Sequence, residues 1–170
     1  MPQSDKKPEL QLEFETVLSF AQELREMAPE HFVPASNTIA DPQLKGTAKL
    51  RFSKDFSTLD VEIKVSGDLS GDQAITLSHL HLDDASATGP LTVELYPNKN
   101  AIVKTKKNRQ FNLKITLTNS NIIPRQNRNN FNTNSIASLY NAIRGNNLYA
   151  DVHGGGDYLL GMLRGQFYIL

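Results

Sequence analysis

The sequence predicts an all-β domain, an antiparallel sandwich or barrel with one short α-helix before the penultimate strand. Three observations predict it. Short segments with apolar–polar alternation recur along the chain, turn-forming residues separate them, and one late stretch repeats its apolar residues at helical spacing. At 170 residues the chain suits a single domain with one core, expected over residues 9–170 behind a disordered polar tail at 1–8.

Taken in order, residues 10–24 are open to two readings. Leu10, Leu12 and Phe14 alternate with polar residues as in a half-buried strand, whereas Phe14, Val17, Ala21 and Leu24 fit one face of a helix. Pro34–Pro42 reads as loop. GTAKLRFSKDFSTLDVEIKVSG then gives two strands around a turn, with Ala48, Leu50 and Phe52 on one and Leu59, Val61, Ile63 and Val65 on the other. AITLSHLHL and GPLTVELYP are two more, separated by DDASAT. NAIVKTKKNRQFNLKITLTNS gives one or two, with Phe111, Leu113, Ile115 and Leu117 alternating. Residues 119–147 hold ten asparagines, and the part at 119–134 reads as a long polar loop within the domain. In NSIASLYNAIRGNN the residues Ile136, Leu139, Tyr140 and Ile143 share a helical face, Asn134 or Ser135 can cap the start, and Gly145 follows the end. NLYADVH and GMLRGQFYIL close the chain as strands on either side of GGGDY.

Composition excludes several function classes. Eighteen basic residues balance eighteen acidic ones, so no overall field favours nucleic acid. The basic run KTKKNR at 104–109 has little aromatic interleaving and reads as a hairpin tip or a guard on an edge strand. No apolar run is long enough for a membrane-spanning helix. The chain has no cysteine, which removes disulfides, thiolate metal sites and cysteine nucleophiles. It has no Asn-x-Ser/Thr sequon, and its amino terminus lacks the apolar core of a secretory signal. GGGDY lies between strands with no Gly-Lys-Ser/Thr after it, so it is not a phosphate loop. No hydrolase or zinc-protease motif occurs, and Asp83 and Asp84, adjacent in sequence, suit an exposed turn better than a proton-sharing pair.

The ordered series GTAKLRF, LDVEIKVSG, SHLHL, GPLTVEL, LYNAIRGNNLY, VHGGG and LRGQF resembles the CHRD family, the modules first noted in chordin, over roughly residues 45–169. FETVLSFAQEL lines up with the family's opening FxAxLSGAQE strand, so the resemblance favours a strand at 10–20. It implies an immunoglobulin-like or superoxide-dismutase-like sandwich and an exported protein. The chain departs from the family in two places. Asp151 and Gly154 stand where the family has Asn-Val-His-Thr, and Met162 stands where a glutamate is common in Gly-Glu-Ile-Arg-Gly-Gln.

The candidate site follows from strand periodicity. Residues two apart share a face, so His79 and His81 point one way and Leu80 and Leu82 the other. In NLYADVH, Leu148, Ala150 and Val152 form an apolar face, and Tyr149, Asp151 and His153 a polar one. In the last strand Leu163, Phe167 and Ile169 are expected inside, with Met162, Arg164 and Gln166 opposite. Histidines at i and i+2 have Cα atoms about 6.5–7 Å apart and can converge on one ion at about 2.0–2.1 Å. His79, His81 and His153 are thus candidate ligands for copper or zinc, with Asp151 as a fourth ligand or an orienting partner. Arg164, Tyr149 and Gln166 are expected around them, Arg164 bridging a carboxylate such as Asp151 or Asp157. On an exposed strand face such histidines are more often simply solvated. His31 lies outside the motifs and reads as a loop residue.

The expectation is a non-enzymatic exported binding or structural module with a mononuclear histidine metal site, its partner a protein or polysaccharide. A copper-dependent, superoxide-dismutase-like redox enzyme is one alternative, although four histidines are too few for a two-metal site. A metal-free interaction domain is the other.

Overall fold

The computed structural model describes residues 10–20, 44–159 and 161–169. The expected tail at 1–8, the loop at Pro34–Pro42 and His31 lie outside the described residues. Eleven strands and one helix are present among those described: β1 (Glu13–Leu18), β2 (Lys45–Phe52), β3 (Leu59–Ser66), β4 (Leu77–His81), β5 (Leu91–Tyr96), β6 (Ile102–Lys106), β7 (Gln110–Leu117), β8 (Arg125–Gln126), β9 (Asn132–Thr133), α1 (Ile136–Arg144), β10 (Tyr149–His153) and β11 (Leu163–Gln166). They form a five-stranded sheet in the order β1-β2-β3-β7-β6, a four-stranded sheet in the order β11-β10-β4-β5, and a small β8-β9 ribbon. All the pairings are antiparallel.

The two sheets pack as a sandwich because each contributes an alternating apolar set to one core. Leu50, Val61, Ile63, Leu113 and Leu117 come from the larger sheet, and Leu80, Val93, Leu95, Ala150 and Val152 from the smaller. Residues 10–20 are resolved in favour of the strand: β1 pairs along β2 and buries Phe14 and Leu18. The β6–β7 hairpin turns through the three residues 107–109, of which Lys107 and Asn108 are at positive φ (45° and 54°). Lysines 104 and 106 lie exposed on β6, an edge strand, as expected for that run.

The helix closes one end of the sandwich. Ser135 accepts from the Ser138 amide at 3.2 Å, and Tyr140 packs edge-on to Phe14 and Phe52. Gly145 follows the helix as expected, but the left-handed residue there is Asn146, at φ 58°. The Asn-rich segment is more structured than a polar loop. It contains the β8-β9 ribbon, and the Asn119 side chain accepts from the Ile136 amide at the helix start. Ile169, expected inside, is 42% exposed because β11 ends at Gln166.

At one corner the sheets are joined: Ser19 and Arg164 exchange backbone hydrogen bonds of 3.0 and 3.1 Å. The opposite edges, β5 and β6, do not pair, so the fold is a sandwich and not a closed barrel. The corner demands a residue without a side chain at Gly165, where a Cβ would stand 2.6 Å from the Val17 carbonyl oxygen and 2.7 Å from Thr16 Cγ2. Gly165→Ala is therefore expected to lower the unfolding free energy by about 1–3 kcal/mol, measured by urea denaturation. An unchanged midpoint would mean that β1 does not press on β11 in solution.

Candidate functional site

The outer face of the β11-β10-β4-β5 sheet carries the polar residues singled out in the sequence. Strand β10 is central. Asp151 lies opposite His79 on β4 and Arg164 on β11, and Tyr149 lies opposite His81 and Gln166. The three segments are neighbours, so their polar sets converge. Register shifts in the β4–β5 ladder at Ser78/His79 and Leu80/His81 flank both histidines, the kind of bulge that re-aims side chains.

His79, His81, Asp151 and His153 each offer a ligand atom within 4.8 Å of the others. His153 Nε2 stands 2.9 Å from Asp151 Oδ2, His81 Nε2 3.1 Å from the same oxygen, and His79 Nδ1 3.6 Å from Oδ1. The face is not the solvated one expected: Asp151 is 5% exposed, and His79 and His153 are 8% exposed.

Two backbone carbonyls decide the chemistry of the cluster. His81 Nδ1 lies 2.9 Å from the Gly89 carbonyl oxygen, and His153 Nδ1 lies 2.8 Å from that of Leu159. A carbonyl oxygen only accepts, so each Nδ1 must carry its proton. In a neutral ring Nε2 is then a bare lone pair, and both Nε2 atoms face one carboxylate oxygen. That contact is repulsive unless a proton or a metal cation lies between. His79 Nδ1, His81 Nε2 and Asp151 Oδ1 are buried without hydrogen bonds. Burial would raise the Asp151 carboxyl, but a proton carried between it and the His81 and His153 rings outweighs that and holds the group well below the usual carboxylate range.

The Leu159 carbonyl reaches His153 because the glycine-rich turn packs tightly on the turn at 71–73. The Gly155 amide donates to the Asp72 carbonyl at 2.8 Å, and a Cβ on Gly154 would lie 2.2 Å from that same oxygen. The glycines of GGGDY thus serve close backbone approach.

The remaining predicted residues form the floor of a strap, residues 83–89, that folds over the same face. Arg164 was expected to bridge a carboxylate such as Asp151 or Asp157; among the described residues it makes no ion pair, and at 2% exposure its Nη1 donates to the Ala87 carbonyl at 2.9 Å and its Nη2 to the Asp84 carbonyl at 2.8 Å, while its guanidinium lies 3.5 Å over the Tyr149 ring. The side chain of Asp157 lies outside the described residues. Tyr149 stacks parallel to His81, with ring centroids 5.0 Å apart, and its hydroxyl accepts from the Gly89 amide at 3.1 Å. Gln166 Nε2 donates to the Asp83 carbonyl at 3.1 Å and the Leu148 carbonyl at 2.9 Å.

Sequence reasoning missed the strap and the clasp that holds it. Asp83, expected on an exposed turn, is 3% exposed. Arg128 Nε donates to Asp83 Oδ1 at 3.2 Å and Nη2 to Asp84 Oδ1 at 2.8 Å, while Asn129 Nδ2 donates to Asp84 Oδ2 at 2.9 Å. The paired aspartates ahead of a glycine and the arginine in the Asn-rich segment were visible; their meeting was not.

Fold and site together define a β-sandwich module with a buried histidine–carboxylate cluster on the outer face of one sheet. The family model of the CHRD domain matches residues 14–167, and the chain belongs to the CHRD family. No curated protein and no solved structure matches it significantly. Among the described residues no helix is long and apolar enough to cross a membrane.

Two outcomes are expected. Arg164→Lys keeps the charge but loses the two-pronged guanidinium and its stacking, so one strap carbonyl goes unpaired; stability should fall by about 1–3 kcal/mol in thermal or urea unfolding. Hydrogen bonds from Ser86 and Asn129 and the charge of Arg128 depress the Asp84 carboxyl from 3.8 to about 2. Its stabilising contribution is then complete above its ordinary value and lost as pH falls towards about 2. Asp84→Asn should shallow the acid limb of a stability–pH profile over that window, and an unaltered limb would place the charge elsewhere.

Proposed function

We propose that this protein is a non-enzymatic, exported binding or structural module of the CHRD type that holds one copper or zinc ion. His79, His81 and His153 are its nitrogen ligands and Asp151 its oxygen ligand. The observation that carries the reading is the pair of imidazole Nε2 atoms, each with its Nδ1 committed to a backbone carbonyl, aimed at one buried carboxylate oxygen. In zinc sites, bonds of about 2.0–2.1 Å at tetrahedral angles put ligand atoms about 3.3–3.4 Å apart. The 2.9, 3.1 and 3.6 Å separations around Asp151 bracket that spacing.

Three imidazoles and a carboxylate without thiolate suit zinc or copper(II). The Gly89 and Leu159 carbonyls supply the outer hydrogen bonds that orient metal-ligating histidines. With Asp151 as the fourth ligand the set is closed, which favours a structural or binding role over a catalytic centre with an open position. The module's partner would be a protein or polysaccharide met outside the cell, as the family resemblance implies.

Elemental analysis tests the reading on untagged protein offered zinc or copper(II) and then freed of excess metal. About one equivalent is expected in the wild type, as a single four-ligand site holds, and none in the His79/His81/His153 triple-alanine variant. At a hundredfold excess over its dissociation constant the ion should stabilise the fold by about 2.7 kcal/mol. A wild type that takes up no metal sinks the proposal and leaves a metal-free interaction domain. Superoxide turnover by the copper-loaded protein, lost in His81→Ala, would instead make it a redox enzyme.

A further inference from the structure

The strap over the site is a short closed loop. Its ends meet through the Leu82 amide and the Pro90 carbonyl at 3.0 Å, and a Cβ on Gly89 would stand 2.2 Å from the Leu82 carbonyl oxygen. Gly89 is its working end. Its carbonyl accepts from His81 Nδ1, and its amide donates to the hydroxyl of Tyr149, whose ring stacks on His81. One residue of the strap therefore fixes a cluster histidine both directly and through that histidine's stacking partner.

The other end of the strap is held from outside. The side chain of Arg128 is 52% exposed, yet it grips three strap side chains, Asp83, Asp84 and, at 2.7 Å, Ser86 Oγ. Arg128 has no ion pair with Asp151 and belongs to none of the cluster positions. A continuous series of contacts thus runs from a solvent-reachable ion pair through the strap to Gly89 and His81. By contrast, His153 takes its carbonyl from Leu159, on a different turn.

We propose that the Arg128 clasp on the strap sets how long the site retains its ion, with Arg128 acting as a positioning residue for His81 through Gly89. This rests on the cluster being a metal site. Outer partners of ligating histidines govern metal affinity by fixing ring orientation and tautomer. Exposed ion pairs weaken with salt, so retention at this site becomes sensitive to ionic strength through a group that never touches the metal. Arg164 and Gln166 still tether the strap to β11 when the clasp is cut, so loss of Arg128 loosens the site without dismantling it.

The test is transfer of zinc from the loaded, full-length protein to a chromophoric chelator, at low and high salt. Wild type, Arg128→Gln and a control on the distant hairpin, Lys104→Gln, are compared. Arg128→Gln should bind the same amount of zinc and release it roughly tenfold faster, the lower end of what losing an outer partner costs. Salt should speed release from the wild type and the control but not from the variant, and Asp84→Asn should reproduce the effect. Equal release rates, even alongside a lowered melting temperature, would overturn the proposal and leave the clasp purely structural. A wild type that takes up no zinc removes the metal reading itself, an outcome distinct from equal rates in a protein that binds.

Discussion

The constraint on which the rest of this structure depends is the charge of Asp151 at the middle of a sheet face. A carboxylate held 5% exposed with no cationic neighbour would be expensive. Three imidazoles close round it, and two of them are themselves held by backbone carbonyls on their far sides. The outer face of the smaller sheet must therefore be as ordered as its inner one. A sandwich sheet usually presents one face to the core and the other to water; here the second face is covered by a strap of its own chain.

Covering that face creates a second demand. A strap laid over a sheet buries backbone carbonyls, and these need donors. Arg164 and Gln166, the polar side chains of β11 on this face, meet that demand at Asp83, Asp84 and Ala87. Tyr149 serves both sides: its ring lies against His81 and under Arg164, and its hydroxyl holds the strap at Gly89. The cluster and its cover are thus one polar network, which explains why an arginine expected to pair with a carboxylate donates to carbonyls.

Much of this was readable beforehand. The alternation of β2, β3 and β7 follows from the two-residue period of an extended chain, and the helix from the spacing of Ile136, Leu139, Tyr140 and Ile143. The four cluster residues could be named because His79 and His81, and Asp151 and His153, each share a strand face. The burial of Asp83 and Ile169's exposure could not be read, since each depends on where a distant segment lies or where a strand stops. The Gly89 and Leu159 carbonyls were equally hidden, because a main-chain oxygen leaves no mark in residue type.

Chain chemistry alone thus established an all-β fold, two polar strand faces and the residues able to ligate an ion, because side-chain direction along a strand is a local steric matter. Folding supplied the pairing of β4 with β10, some seventy residues apart, and with it the meeting of both faces. That register is selected by the burial of Leu80, Ala150 and Val152 together with every other core residue, a sum over the molecule that no single segment carries.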